Sequence, residues 1–179
     1  MTKLFQIAAL CTATLATPAF AAGSDSTTPP TTTKTSTDCK KGQVFDEKTS
    51  KCLDVKSDAL SDDDRYRAAR ELAYNGLYDR ALEVLAAADN QDDPRILNYY
   101  GFTNRKLGND DAAMTYYRAA LAIDPDYILA RSYMGQGLAA KGNLTGAAEQ
   151  LEEIRLRNGT ETWAYASLER AIAGMPSDW

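Results

Sequence analysis

The residues best equipped for chemistry in this chain are its cysteines, Cys11, Cys39 and Cys52, because none of its 179 residues is a histidine that could act as general base or metal ligand. Cys39 and Cys52 bracket the 12 residues of Cys39-Lys-Lys-Gly-Gln-Val-Phe-Asp-Glu-Lys-Thr-Ser-Lys-Cys52, a spacing far from the Cys-x-x-Cys of redox pairs. A structural disulfide is expected here in preference to a redox or metal site. Val44-Phe45 and Lys51-Cys52-Leu53 read as two short arms about a turn at Asp46 to Ser50. Closing such a loop is worth roughly 3 kcal/mol in chain entropy. A unit this small has almost no core, so the bond should be what makes it a structure.

The carboxylates offer less. Ser61-Asp62-Asp63-Asp64 places a cap and three acids where a helix begins, and reads as a solvated helix start that favours the dipole. Asp89-x-Gln91-x-Asp93 has the alternation of a calcium loop, but Pro94 stands where that loop needs glycine. Glu152 and Glu153 are consecutive, so on a helix they point in different directions. No phosphate-binding glycine loop, nucleophile elbow or metal-spaced cysteine set is present. The expectation is a protein that is not an enzyme, with no catalytic residues, no metal site and no cofactor.

The elements that would position a site start well inside the chain. Residues 1–21 carry Lys3, an apolar run from Leu4 to Ala16 and the small-x-small ending Ala19-Phe20-Ala21, the pattern of a secretory signal peptide cut after Ala21. Its apolar run is short of the roughly 20 residues that span a bilayer. Cys11 lies inside that run and should leave with it. Residues 22–38 are rich in Ser, Thr and Pro without a large apolar side chain, and read as a disordered tether. Loss of Lys3 takes the net charge from −5 to −6. An acidic chain without a basic run argues against nucleic acid and anionic membrane surfaces as partners. The location expected is periplasmic or secreted, in a Gram-negative bacterium, with no transmembrane span.

Beyond the cysteines the chain repeats itself. Gly101, Gly108, Asn109 and Ala113 form a Gly-x6-Gly-Asn-x3-Ala block that returns 34 residues later as Gly135, Gly142, Asn143 and Ala147. A looser copy holds Ala69, Gly76 and Ala81, with 32 residues from Gly76 to Gly108. A fixed period of this length means one supersecondary unit stacked on copies of itself. Leu97, Tyr100, Gly101 and Asn104 share one helical stripe, and Ala113, Tyr117, Ala120 and Leu121 share the next. Asp93-Pro94 starts the first helix, Asn109 is placed to cap the second, and Asp124-Pro125 ends it. Gly101 and Gly135 fit points where helices cross too closely for a side chain, and Gly76, Gly108 and Gly142 fit left-handed turns. Asn158-Gly159 stops the last repeat, and Thr160 is placed to cap a final helix bearing Trp163, Ala166, Leu168 and Ile172 that covers the open end.

At these positions the pattern resembles the tetratricopeptide repeat over about 62–159. The small residue of the first helix is Ala69, Gly101 and Gly135, and the alanine of the second is Ala81, Ala113 and Ala147. The bulky residue four later is Leu85, Tyr117 and Leu151, followed by Ala88, Ala120 and Ile154. The family's tryptophan is replaced by Arg65, Leu97 and Arg131, which marks the outer copies as degenerate. The resemblance implies an all-α, right-handed superhelical solenoid of three helix-turn-helix repeats, 60–93, 94–127 and 128–159. A capping helix at 160–174 and a tail at 175–179 follow, and the tether and a disulfide-closed β-hairpin at 39–57 precede them.

The same resemblance implies a concave groove that binds a protein or peptide partner. Its positions fall on Tyr66, Arg70 and Tyr74, on Asn98, Phe102, Arg105 and Lys106, and on Leu129, Ser132 and Gln136. Aromatic area, an amide and several cations suit a partner with apolar anchors and an acidic stretch. Tyr99, Tyr100, Tyr116, Tyr117 and Tyr133 are expected between helices. The positions that grip a chaperone tail's carboxylate in this family read Tyr66, Arg70, Tyr99, Leu129 and Tyr133, so that clamp is absent except for one cation. The cysteine segment also looks like short Cys-x-x-Gly-x-Val-Phe/Trp-Asp-x5-Cys hairpins of exported bacterial proteins, and distantly like the last loop of chitin-binding modules. Two functions of different class follow. One is an interaction scaffold or adaptor of the periplasm or envelope; the other is an envelope module whose hairpin engages glycan through Phe45, with the repeats as spacer.

Overall fold

A computed structural model describes residues 28–30 and 35–175. The expected signal peptide, most of the tether and the end of the tail lie outside the described residues. A short 3-10 turn, Ser36–Asp38, leads into a hairpin of β1 (Gln43–Asp46) and β2 (Lys51–Asp54). Seven helices follow among the described residues: α1 (Asp62–Tyr74), α2 (Tyr78–Ala86), α3 (Pro94–Lys106), α4 (Asp110–Ile123), α5 (Ile128–Ala140), α6 (Leu144–Leu156) and α7 (Trp163–Ile172). Each odd-numbered helix from α1 to α5 packs on its successor as an antiparallel pair, the pairs stack in chain order, and α7 lies against α5 and α6. The chain is a helical solenoid with a small hairpin at its head.

The turn within each pair explains the period. Gly76, Gly108 and Gly142 have φ of +74°, +82° and +78°. That left-handed turn lets the next N–H reach back five residues to an orphan helical carbonyl: Leu77 to Leu72 at 2.9 Å, Asn109 to Asn104 at 2.9 Å and Asn143 to Leu138 at 2.9 Å. Gly101 has a different reason. A methyl there would stand 2.6 Å from the Tyr117 ring, so its absence lets α3 and α4 close. At Gly135 the close neighbour is Leu168 of α7, not Leu151 of its own pair.

Caps fall partly where the residue types placed them. Ser61 and Asp64 form a reciprocal capping box, and the Asp93 side chain accepts from the Arg95 N–H ahead of Pro94. Asn143 accepts from the Gly146 N–H, whereas Asn109 makes no capping bond and turns its amide to Asn104 Oδ1 at 3.2 Å. The last helix starts later than expected. Its cap is Thr162, which accepts from the Tyr165 N–H, and Thr160 lies before it. Residues 157–162 use a left-handed Asn158, φ 58°, to turn the chain.

Two expectations at the head of the chain are corrected. The interval 22–38 does not stay a tether to its end: Thr35 N–H and Thr37 N–H donate to Glu71 Oε1 at 2.9 and 2.8 Å, and Thr35 Oγ1 donates to Glu71 Oε2 at 2.6 Å. Arg80 holds the same turn by its carbonyls, reaching Ser36 O at 2.9 Å and Cys39 O at 3.0 Å. Nor does the hairpin stand apart with no core of its own. The register pairs Phe45 with Cys52, turning Val44 to the other face, where it is fully buried in the main core with Leu60 and Leu72. The Cys39–Cys52 disulfide is formed, with Cα atoms 5.7 Å apart.

The arginines that replace the family's tryptophan have a shared task. Arg65 donates from Nε to Val55 O at 3.1 Å and from Nη2 to Ser57 O at 3.2 Å. Arg131 donates from Nε and Nη2 to Pro125 O at 3.1 and 2.8 Å. Each buried guanidinium ties down the segment leading into its own helix, which a tryptophan could not do through five fixed donors.

Candidate partner-binding groove

The stripe shared by α1, α3 and α5 is aromatic. Spaced four apart, Tyr66, Arg70 and Tyr74 follow one face of α1, and Phe102 with Lys106, also four apart, follows one face of α3. Rings pack from helix to helix: Tyr66 edge-on to Tyr99 at 5.5 Å, Tyr74 edge-on to Phe102 at 5.4 Å, Phe102 tilted against Tyr133 at 4.9 Å and Tyr133 edge-on to Trp163 at 6.5 Å between centroids. Beneath them three phenols join, Tyr74 Oη lying 2.5 Å from Tyr99 Oη and 2.6 Å from Tyr133 Oη. Arg70 Nε donates to Tyr99 Oη at 3.2 Å. Burial pushes the Tyr99 and Tyr133 phenols well above the ordinary tyrosine range, so both stay protonated and serve as neutral hydrogen-bonding groups.

Cations lie over these rings. Arg70 stands 5.2 Å from the Tyr74 centroid, Arg105 stands 5.6 Å from Phe102 and 5.9 Å from Tyr133, and Lys106 stands 5.6 Å from Phe102. Burial, with the like charge of Arg105 beside it, draws the Lys106 amine below the usual lysine range. Lys48, Arg65, Arg67, Arg95, Arg131, Lys141, Arg155 and Arg157 all have carboxylate partners. Among the described residues no ion pair includes Arg105 or Lys106.

Of the expected groove residues, the structure brings Tyr66, Arg70, Tyr74, Phe102, Arg105 and Lys106 together. Arg70, Tyr74, Arg105 and Lys106 are half-buried, while Tyr66 and Phe102 form the packed floor. The other positions are closed. Asn98 is wholly buried, its amide donating to Tyr127 Oη at 3.4 Å, and Leu129 is core. Ser132 and Gln136 lie under α7: Ser132 Oγ donates to Ala164 O at 2.6 Å, and Gln136 Nε2 donates to Ser132 Oγ and Ser167 Oγ at 3.1 Å. The capping helix thus occupies the stretch of the face that the third pair would have offered, because α5's small and polar residues satisfy α7's backbone carbonyl and hydroxyl.

Sequence reasoning missed Arg95, which stands 4.9 Å above the Tyr66 ring and bonds Asp63 Oδ1 at 2.7 Å across two pairs. Its place three residues before Asn98 on α3 was the available signal. Tyr133, expected between helices, is fully buried, and its ring also lies on the candidate face, 5.9 Å from Arg105. Tyr99 and Tyr117 are likewise buried, and Tyr100 stacks on Tyr116 at 4.8 Å. Among the described residues no helix is long and apolar enough to cross a membrane.

Residues 94–127, which are α3, α4 and the turn after them, match the tetratricopeptide repeat family. This protein carries a tetratricopeptide repeat. The pairs on either side of the matched repeat share its glycine turn and its stacking, though Arg65 and Arg131 stand where the family has tryptophan. No solved structure matches the chain significantly. Tetratricopeptide repeats are protein–protein interaction modules.

Proposed function

We propose that this protein is a non-enzymatic interaction scaffold or adaptor of the bacterial periplasm or envelope, binding a peptide or helix along the face of α1 and α3. The observation that carries this reading is the coincidence of aromatic rings with Arg105 and Lys106 in a chain of net charge −5, where the other cations on the repeats are largely tied up in ion pairs. Rings supply area at low entropic cost, and desolvated cations supply orientation. A disulfide that closes the head of the solenoid favours an oxidising compartment. Docking of the hairpin through Val44 favours this reading over a glycan-binding arm with the repeats as spacer, since the hairpin is part of the same core.

The test places a photo-crosslinking residue at Lys106, on the candidate face, and in a separate protein at Arg118, exposed on α4. A discrete adduct from position 106 and none from 118 is expected in the envelope fraction. Equal capture at both positions, or at neither, would overturn the assignment of the face.

A further inference from the structure

Arg105 is out of keeping with its surroundings. Its Nε and Nη2 are buried and have no hydrogen-bond partner, although a guanidinium carries five donors that a folded protein normally satisfies. The stem leaves α3 and crosses α5 at Gly137, where an added methyl would stand 3.1 Å from Arg105 Cδ and 2.7 Å from Met114 Cε. Crossing there brings the charge over Phe102 and Tyr133 rather than out to water. Lys106, next in the chain, stands as near to Phe102 as Arg105 does, at 5.6 Å, so two like charges share one ring. Tyr117 Oη is buried beside Arg105, and burial pushes its phenol up to about 12, so it stays neutral and supplies no counter-charge.

Two cations held together in a poorly hydrated place repel, and rings compensate them only in part. An anion beside them would offset the repulsion between the two charges. We propose that Arg105 and Lys106 form a seat for a side-chain carboxylate of an acidic partner segment, with the rings of Phe102 and Tyr133 beside it receiving an adjoining apolar residue. This rests on the reading of α1 and α3 as a peptide-binding face. The aspartates and glutamates of the described chain do not supply that carboxylate, since none pairs with either cation. A carboxylate suits the site better than a neutral polar group because charge-assisted bonds gain most where water is excluded.

The experiment is an NMR titration of the full chain with acetyl-Phe-Glu-Glu-Phe-amide and, in parallel, its isostere acetyl-Phe-Gln-Gln-Phe-amide. The acidic peptide is expected to shift the amides of Phe102 to Lys106 and of Gly137, and to bind roughly tenfold tighter than the isostere. Lys106→Gln, at a half-buried helix end, should remove most of that preference without altering the spectrum elsewhere. Arg105→Met, which keeps an apolar stem beside Gly137, should do the same. Equal binding of the two peptides would overturn the carboxylate seat and leave the peptide-binding face standing. No shift on this face with either peptide would overturn both.

Discussion

At the head of the solenoid, a turn and a hairpin cover α1 and α2, burying Val44 and adding many polar bonds: the backbone N–H of Thr35 and Thr37 on Glu71, three carbonyls on Arg80, and the Arg65 bonds to Val55 and Ser57. At the tail, α5 and α6 are covered by a helix that brings Leu168 onto Gly135, Ala147 and Ile154 and Ala164 into the main core, both fully buried. The same problem, an apolar helix face with no next repeat to cover it, is met at the head by charge, backbone hydrogen bonds and a covalent link around Val44, and at the tail mainly by packing of Leu168. Polar closure depends on ionisation and redox state, whereas apolar closure depends on volume. The two ends should therefore fail under different conditions.

The largest effect is expected at the tail. Leu168→Ala opens a cavity against Gly135 and should cost about 2–5 kcal/mol, read as a lower midpoint in chemical denaturation. Hydrogen exchange should quicken in α5 to α7 and stay unchanged in α1. Replacing both Cys39 and Cys52 by serine comes next, costing roughly 3 kcal/mol on the chain-entropy account. Here exchange should quicken in the hairpin and α1, with α7 unaffected; equal loosening at both ends would abolish the distinction between them. Glu71→Gln keeps the shape of the side chain but weakens charge-assisted bonds to Thr35 and Thr37, and should cost about 1–3 kcal/mol. Proteolysis between residues 35 and 39 is the measurement, and cleavage as slow as in the parent protein would remove Glu71 as the fastener.

Acid should produce the smallest and most local change. Burial raises the Asp62 carboxyl, but the N–H groups of Asn90 and Asp89, with Arg65, outweigh it and leave Asp62 below its ordinary value. At Asp64 burial is likewise outweighed, by Ser61, Arg67 and Lys48. A carboxyl whose folded value is depressed stabilises fully above its unfolded value, about 3.9, and loses that contribution as pH falls through the folded value. Below about pH 4 the start of α1 should loosen before α6 and α7 do. Residue-resolved exchange between neutral pH and pH 3 tests the order, and simultaneous loosening would contradict it.

The glycine turns, the close contact at Gly101, the disulfide and the helix pairs were all legible along the chain, because each follows from backbone conformation or from residues within one repeat. The six residues of the candidate face on α1 and α3 were implied by the resemblance to the repeat family, and helical spacing is consistent with their sharing a side of each helix. The closure of Ser132, Gln136 and Asn98 was not legible. Their types and spacing are those of a groove wall, and only the arrival of α7 on α5 and of Tyr127 beside Asn98 closes them.

Local periodicity settles how many helices form and which side of each is small or apolar, since those depend on neighbours three and four residues away. What covers an exposed face depends on contacts between residues far apart in the chain. Glu71 meets Thr35 across 36 residues and Ser132 meets Ala164 across 32, and no short-range pattern encodes either meeting. The unpaired guanidinium of Arg105 belongs to the same class. Its charge is plain in the sequence, but its burial between Phe102, Tyr133 and Gly137 arises from the stacking of one pair on the next.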